Sequence, residues 1–442
     1  MVTGHRMRAL GIATLVTVVC LGTVHCTAAT KVPKGFAPLF NGKDLSGWKG
    51  LVENPKSRKA MPEEELAKAQ AAADALMRAH WQVVDGVLEY DGHGNSLCTA
   101  KDYGDFELYI DWKIKPGGDS GIYLRGSPQI QIWDPEHEPF FVHGADQGSG
   151  ALWNNQKYQR FPLVKADNPA GEWNTFYIRM IGERVTVQLN GQVVMDNVIM
   201  ENFWQRDRPI YPRGQIELQH HEHKLWFRNI YIREIGAQEA NQILSEANGQ
   251  HFDKVFNGHD FDGWEGGKSG YHVADGVLAC KKGDGGILHT QKQYSNFIVR
   301  LEFKLPPGGN NGLAIRYPGH GSAHVDGMTE LQILGDDYPD INDLDPRQLH
   351  GSAYGLVAAH QGYLHAANEW NFQQVTVIGS QIKVELNGFT ILDTNLTEVR
   401  ESKDGGVYPN VQRMSGHFGF VGHGDLVAFR NISIKELAAE QP

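Results

Sequence analysis

The chain alternates. Residues Phe106-Glu107-Leu108-Tyr109-Ile110-Asp111-Trp112-Lys113-Ile114 place an apolar side chain at every second position, and Val185-Thr186-Val187-Gln188-Leu189 does the same. Period two marks a half-buried strand, because successive side chains leave opposite faces of the backbone. Asn190-Gly191 and Asn387-Gly388 stand between apolar runs, as do Asp85-Gly86 and Asp275-Gly276. Such pairs tolerate the positive φ angles of a two-residue hairpin turn, so each predicts a tight hairpin. Many short strands with glycine-rich turns, and almost no helical periodicity, predict a sandwich or barrel. Two segments depart from the pattern. Glu63 to His80 is Ala-rich behind Pro62, which predicts a helix inserted between Trp48 and Trp81, over the sandwich rim as a lid or as packing. Gln238 to His251 reads as a polar, helix-tolerant linker.

The pattern also runs twice. Leu39-Phe40-Asn41-Gly42-Lys43-Asp44-Leu45-Ser46-Gly47-Trp48 returns as Val255-Phe256-Asn257-Gly258-His259-Asp260-Phe261-Asp262-Gly263-Trp264. Gly117 to Arg125 returns as Gly308 to Arg316, Gln129-Ile130-Gln131-Ile132 as Glu330-Leu331-Gln332-Ile333, and Glu172-Trp173-Asn174 as Glu369-Trp370-Asn371. Leu189-Asn190-Gly191 and Phe227-Arg228-Asn229-Ile230 have twins at Leu386-Asn387-Gly388 and Phe429-Arg430-Asn431-Ile432. A period of roughly 200 residues is a domain, not a solenoid unit. The expected division is 35–236 and 253–437 for the two domains, with 237–252 between them.

The first thirty residues stand apart. Arg6 and Arg8, the apolar run Leu10 to Val24 and the small residues Thr27-Ala28-Ala29 predict a secretory signal, with Cys26 as a possible site for a lipid anchor. The apolar run is short for a membrane span. Export would place the mature protein in the periplasm or at the cell surface. Cys98 and Cys280, the cysteines left in the mature chain, fall at non-equivalent places and read as free, buried thiols. With 41 Lys and Arg against 52 Asp and Glu, the net charge of −11 repels phosphate backbones and argues against nucleic acid as a partner. The 10 Trp and 15 Tyr suit sugar stacking, although a sandwich core also takes Trp.

The ordered set of blocks resembles the 3-keto-disaccharide hydrolase domain family over nearly the whole mature chain, twice. The resemblance implies an all-β fold, two tandem concanavalin-A-like (laminin-G-like) jelly-roll sandwiches, with the helical insertion in the first. It also implies a carbohydrate substrate, a glycoside oxidised to a ketone at the sugar 3-position. Such a ketone acidifies the hydrogen on the adjacent carbon. A base can remove it and expel the aglycone, with an acid for the leaving oxygen and a donor or metal for the enolate. Water addition would complete a net hydrolysis. A non-catalytic carbohydrate-binding protein is the main alternative, since the scaffold also serves lectins, and an adhesive module that binds protein is another.

For chemistry the resemblance points to repeat two. Glu330 and Gln332 occupy alternate positions of one strand and share a face, with Arg316 and His423 completing the family's polar cluster. Lys304 ends a strand expected to reach that face and could anchor an enolate or only snorkel. Repeat one carries Gln129 in place of the carboxylate, and an amide is no base, which weakens that site unless Asp134, Glu136 or a His takes the role. It keeps Arg125, Gln131, Asp134, Gln219 and His221, with Lys113 the twin of Lys304, and reads as a substrate-binding site. Trp153 and Tyr354 are candidates to stack on a sugar or to fill the core. The Glu-Trp-Asn and Phe-Arg-Asn-Ile blocks are assigned to structure, the Trp in the core and the Arg in a buried pair. A divalent cation is possible in two places: a transition metal at His220-His221-Glu222-His223, or calcium in the acidic loop Asp336 to Asp345.

Overall fold

The computed structural model describes residue 1 and residues 32–247, 251–406 and 408–438. The signal segment, with the cleavage and lipid-anchor sites, lies outside the described residues. Repeat one pairs its strands into an eight-stranded and a five-stranded antiparallel sheet. The larger runs Gln192–Ile199, Arg184–Leu189, Asn174–Ile181, Phe106–Ile114, Leu225–Glu234, Val87–Tyr90, Trp81–Val84, with Ala37–Pro38 added on Leu225–Glu234. The smaller runs Trp48–Gly50, Leu97–Thr99, Glu217–Leu218, Asp119–Leu124, Ser127–Trp133. Repeat two has the same two sheets in the same order, the smaller built from Trp264–Gly266, Gly286–Tyr294, Gly416–Gly422, Asn310–Tyr317 and Thr329–Leu334. The chain is therefore all-β, two tandem jelly-roll sandwiches.

Alternation sets the inside of each sandwich. Phe106, Leu108, Ile110, Trp112 and Ile114 face inward and are buried, as are Phe297, Val299, Leu301 and Phe303 on the equivalent strand. Each buried aromatic removes some 150–250 Å² from water, worth roughly 4–6 kcal/mol as an upper bound. The hairpins form where the sequence places them: Asn190 and Gly191 have φ of 51° and 82°, Asn387 and Gly388 51° and 84°. Asn190 does more than turn. Its Oδ1 accepts from Thr175 N at 2.9 Å and its Nδ2 donates to Asn174 Oδ1 at 2.8 Å, so the Leu-Asn-Gly turn is tied to the Glu-Trp-Asn block. Asn387 and Asn371 repeat the link. The opening blocks recur for a similar reason. Asn41 and Asp44 accept the backbone N–H groups of their own turn, and Trp48 Nε1 donates to Leu39 O at 3.1 Å.

One expectation is corrected here. Trp173 and Trp370 lie outside the core, on the outer face of the eight-stranded sheets, with the guanidinium groups of Arg228 and Arg430 stacked over them at 4.0 and 4.1 Å. The Arg side chains do make ion pairs, Arg228 with Asp111 at 3.2 Å and Arg430 with Glu302 at 2.7 Å, but partly exposed on that outer face rather than buried as expected. Cys98 and Cys280 are free and buried.

The helix Glu63–His80 follows a shorter one, Pro55–Ala60, and packs on the edge strand Trp48–Gly50. A side chain at Gly50 would run into Ala73 O at 2.1 Å, so glycine permits that approach. A helix at Ala237–Glu246 packs on the strand Trp370–Ile378 of repeat two. The repeats also meet turn to turn. Glu183 N donates to Gly388 O at 3.1 Å, Thr390 N donates to Glu183, and Arg184 pairs with Glu385. Among the described residues no helix is long and apolar enough to cross a membrane.

Candidate active site

The site of repeat two sits on the outer face of its five-stranded sheet. In the strand Thr329–Leu334, Leu331 and Ile333 enter the core, so Glu330 and Gln332 face out together, as alternation requires. Gly312 lies on the neighbouring strand, opposite Gln332. A Cβ there would meet Glu330 Oε1 at 2.1 Å, so only glycine leaves room for the carboxylate. Glu330 is 5% exposed. Two imidazoles flank it: His324 Nδ1 stands 3.8 Å from Oε2 and His423 Nε2 3.9 Å from Oε1. Burial pushes this carboxyl up, but the two histidines outweigh burial and hold it below the ordinary carboxylate range. Glu330 is thus an ionised carboxylate at neutral pH.

Around it lies a cavity of about 200 Å³ lined by Asn310, His324, Glu330, Gln332, Tyr354 and His423. Gln332 Nε2 donates to Asn310 Oδ1 at 2.8 Å, and Gln348 Nε2 donates to the Tyr354 hydroxyl at 2.9 Å. Tyr338 and Leu344, from the acidic loop, complete the wall. Within that loop Asp337 accepts from Gly308 N and Asp345 pairs with Arg347. Among the described residues no group of three or more His, Cys, Asp or Glu is arranged to hold a metal ion, in this loop or at His220 to His223. In the latter stretch the His221 and His223 rings stack on one side, while His220 turns to Ser96.

Sequence reasoning missed His324. It rides on the short helix Ala323–Asp326, in the connection between Asn310–Tyr317 and Thr329–Leu334. Repeat one closes the same connection with Arg125 and Gly126 alone. The signal was in the spacing: Gln129 follows Arg125 by four positions, whereas Glu330 follows Arg316 by fourteen.

Repeat one builds a different site in the same place. Gln129 donates to Gln131, and Gln131 Nε2 donates to Asp119 Oδ1 at 2.5 Å, so a chain of amides ends on a carboxylate. Asp119 Oδ2 lies 3.6 Å from His221 Nδ1. Burial pushes the Asp119 carboxyl up, with His221 pulling the other way. The cavity is about 420 Å³ and includes Tyr123, Gln129, Gln131, Trp133, His143, Trp153, Asn154, Gln219 and His221. Trp153 carries the Arg160 guanidinium 3.5 Å over its ring. The other carboxylate of this sheet face, Glu217, is 2% exposed under the Pro55–Ala60 helix. Burial raises it to about 7, with Arg58 Nη2 at 3.7 Å pulling it down.

Five expected site residues lie elsewhere. Arg125 and Arg316 are fully buried at positive φ, their guanidinium groups spent on backbone carbonyls (Gly104 and Gly182 for Arg125; Ser295, Gly379 and Arg413 for Arg316) and, for Arg125, on the Asp105 carboxylate at 2.7 Å. They lock the strand ends in place, as a buried Arg with five donors must find acceptors. Lys113 and Lys304 extend from the outer face of the eight-stranded sheets, over Trp226 and Trp370, with the core between them and the cavities. Alternation counted from Trp112 and Phe303 sends them there. Asp134 is buried and caps a turn, accepting from Gly117 N and Glu136 N.

A family profile described as 3-keto-alpha-glucoside-1,2-lyase-like domain matches residues 35–233 and 251–435. The chain is 25% identical over 250 residues to a protein named 3-keto-disaccharide hydrolase from Bacteroides thetaiotaomicron, covering 45% of this chain and 78% of that one. It is also similar to a crystal structure of a candidate glycosyl hydrolase from Parabacteroides distasonis, at 25% identity and TM-score 0.37, covering 42% of this chain and 94% of that one. A carbohydrate-binding module from Bacillus subtilis follows at 12% identity and TM-score 0.28, covering 39% and 96%.

Proposed function

Because this chain belongs, in two copies, to the 3-keto-alpha-glucoside-1,2-lyase-like domain family, we propose that it is a carbohydrate-active enzyme that cleaves 3-keto glycosides in repeat two. One observation carries the reading: a buried, ionised carboxylate, Glu330, faces a cavity between two imidazoles. A base, a proton donor and a hydrogen-bonding wall are the parts that elimination next to a ketone requires.

In this scheme Glu330 takes the proton from sugar C2. The electron pair forms the C1–C2 double bond as the C1–O bond breaks, and the departing aglycone oxygen takes a proton from an imidazolium. His324 and His423 stand on opposite oxygens of Glu330, so one can serve the leaving oxygen while the other holds negative charge building on the ketone oxygen. Tyr354 offers its ring to the sugar, and Gln332 a donor for its hydroxyls. Water added across the double bond in a later step returns a 3-keto sugar, so that the sum is hydrolysis. The apolar run Leu10 to Val24 supports export, and with it a substrate met outside the cytoplasm.

The test uses the mature protein in deuterated water, with a 3-keto glucoside and the unoxidised glucoside compared. Release of aglycone from the keto form alone, with deuterium entering at C2, is the expected result. Equal cleavage of the unoxidised glucoside, without exchange, would replace this scheme with ordinary hydrolysis between two carboxylates.

A further inference from the structure

The cavity of repeat one asks for hydrogen-bond donors. Gln219 Oε1 and Asn154 Oδ1 are buried there without a partner, and Asp119 adds a carboxylate. Gln131 and Gln129 already point their N–H groups along the chain toward Asp119, which fixes that carboxylate as the end acceptor. Gly121 keeps the floor open: a Cβ there would touch Gln219 Oε1 and Gln129 Cδ at 3.0 Å each. The wall is aromatic, Trp153 backed edge-on by Trp133 at 5.4 Å, and the volume is about twice that of the repeat-two cavity. Rings to stack on and convergent polar atoms together describe a site for a sugar.

The polarity of those atoms selects which sugar. A hydroxyl can donate, whereas a ketone can only accept. A sugar oxidised at one carbon has one hydroxyl fewer, so one acceptor that its parent would pair stays unpaired and desolvated, which lowers affinity by about 10-fold or more. We propose that repeat one is a binding site for unoxidised saccharide, one that keeps its ring hydroxyls, and that it holds the enzyme on glycan while repeat two acts on the keto sugar. This rests on the carbohydrate reading above. Its test does not depend on turnover.

The measurement is calorimetric titration of the full mature chain with a panel of gluco-, galacto- and manno-configured disaccharides, each beside its 3-keto form. Asn154→Leu and Gln219→Leu, made separately, each remove one acceptor while keeping size. The expected result is saturable binding of at least one unoxidised disaccharide, weakened about 10-fold by either substitution, with binding of the keto form unaffected by both. Three results overturn the proposal: no unoxidised disaccharide binds at millimolar concentration, its binding survives both substitutions, or the substitutions weaken the keto form as much. Catalysis could fail in repeat two with the first result intact, so the two proposals separate.

Discussion

In repeat two, Glu330 stands beside a bare stretch of sheet, where the cross-strand partners Ala314 and Gly419 lead to His289. In repeat one the corresponding row is full. Tyr123, Glu217 and Cys98 are cross-strand partners there, and Gln129 stands one strand away. The carboxylate has in effect moved two strands and been covered. Glu330 is held ionised by two histidines at a cavity, whereas Glu217 is pushed toward neutrality under an inserted helix. Two loops account for the difference. The long connection in repeat two brings His324 to its carboxylate, and the Pro55 to His80 insertion in repeat one buries the other. One scaffold with the same core thus presents an ionised carboxylate between two imidazoles on one copy and a larger, acceptor-rich pocket on the other.

The comparison breaks most visibly at Gly312. Alanine there places a methyl against Glu330 Oε1 and should cost as much as losing the carboxylate, about 10²–10⁴-fold in turnover. Circular dichroism would confirm a folded chain. Next is Glu217, whose carboxyl binds its proton more tightly in the folded state, at about 7 against an ordinary 4.5. Its contribution to stability is therefore fully present below about pH 4.5 and is lost as pH rises through the window from 4.5 to about 7, by roughly 3 kcal/mol in all. Glu217→Gln should remove the decline, seen as a higher urea midpoint than wild type at pH 8 and little difference at pH 4. His324→Ala is expected to lower turnover by about 10-fold. Losing one of the two groups that hold Glu330 down also moves the acid limb of the pH–rate profile upward. Gly121→Ala is the mildest, since its contacts begin at 3.0 Å rather than 2.1 Å, and should weaken sugar binding by a few-fold with turnover of a soluble keto glucoside as the control.

The fold was legible because its signals are local and written twice. Hairpin turns need Asn-Gly or Asp-Gly, strands need alternation, and the recurring Asn and Trp side chains bond within their own repeat. Glu330, Gln332 and His423 were legible as a group, together with Arg316, and Tyr354 separately as a candidate to stack on a sugar; the cavity collects all of these but Arg316. Arg316 and Lys304 misled because a recurring cation looks alike in sequence whether it ties strand ends, covers a Trp or meets a ligand. His324 was hidden in an insertion with no twin to mark it. Asp119 lies inside the repeated block Gly117 to Arg125, where nothing marks it out, and its approach to His221 joins residues distant in sequence.

The most direct test of where the chemistry resides is aglycone release from a chromogenic 3-keto glucoside by the wild-type chain and by Glu330→Gln. That change gives repeat two the amide that repeat one already has. The account predicts that kcat falls by about 10²–10⁴-fold while the folded protein still binds the substrate. Release at the wild-type rate would contradict it and move the chemistry to repeat one, where Asp119 and His221 are the remaining pair.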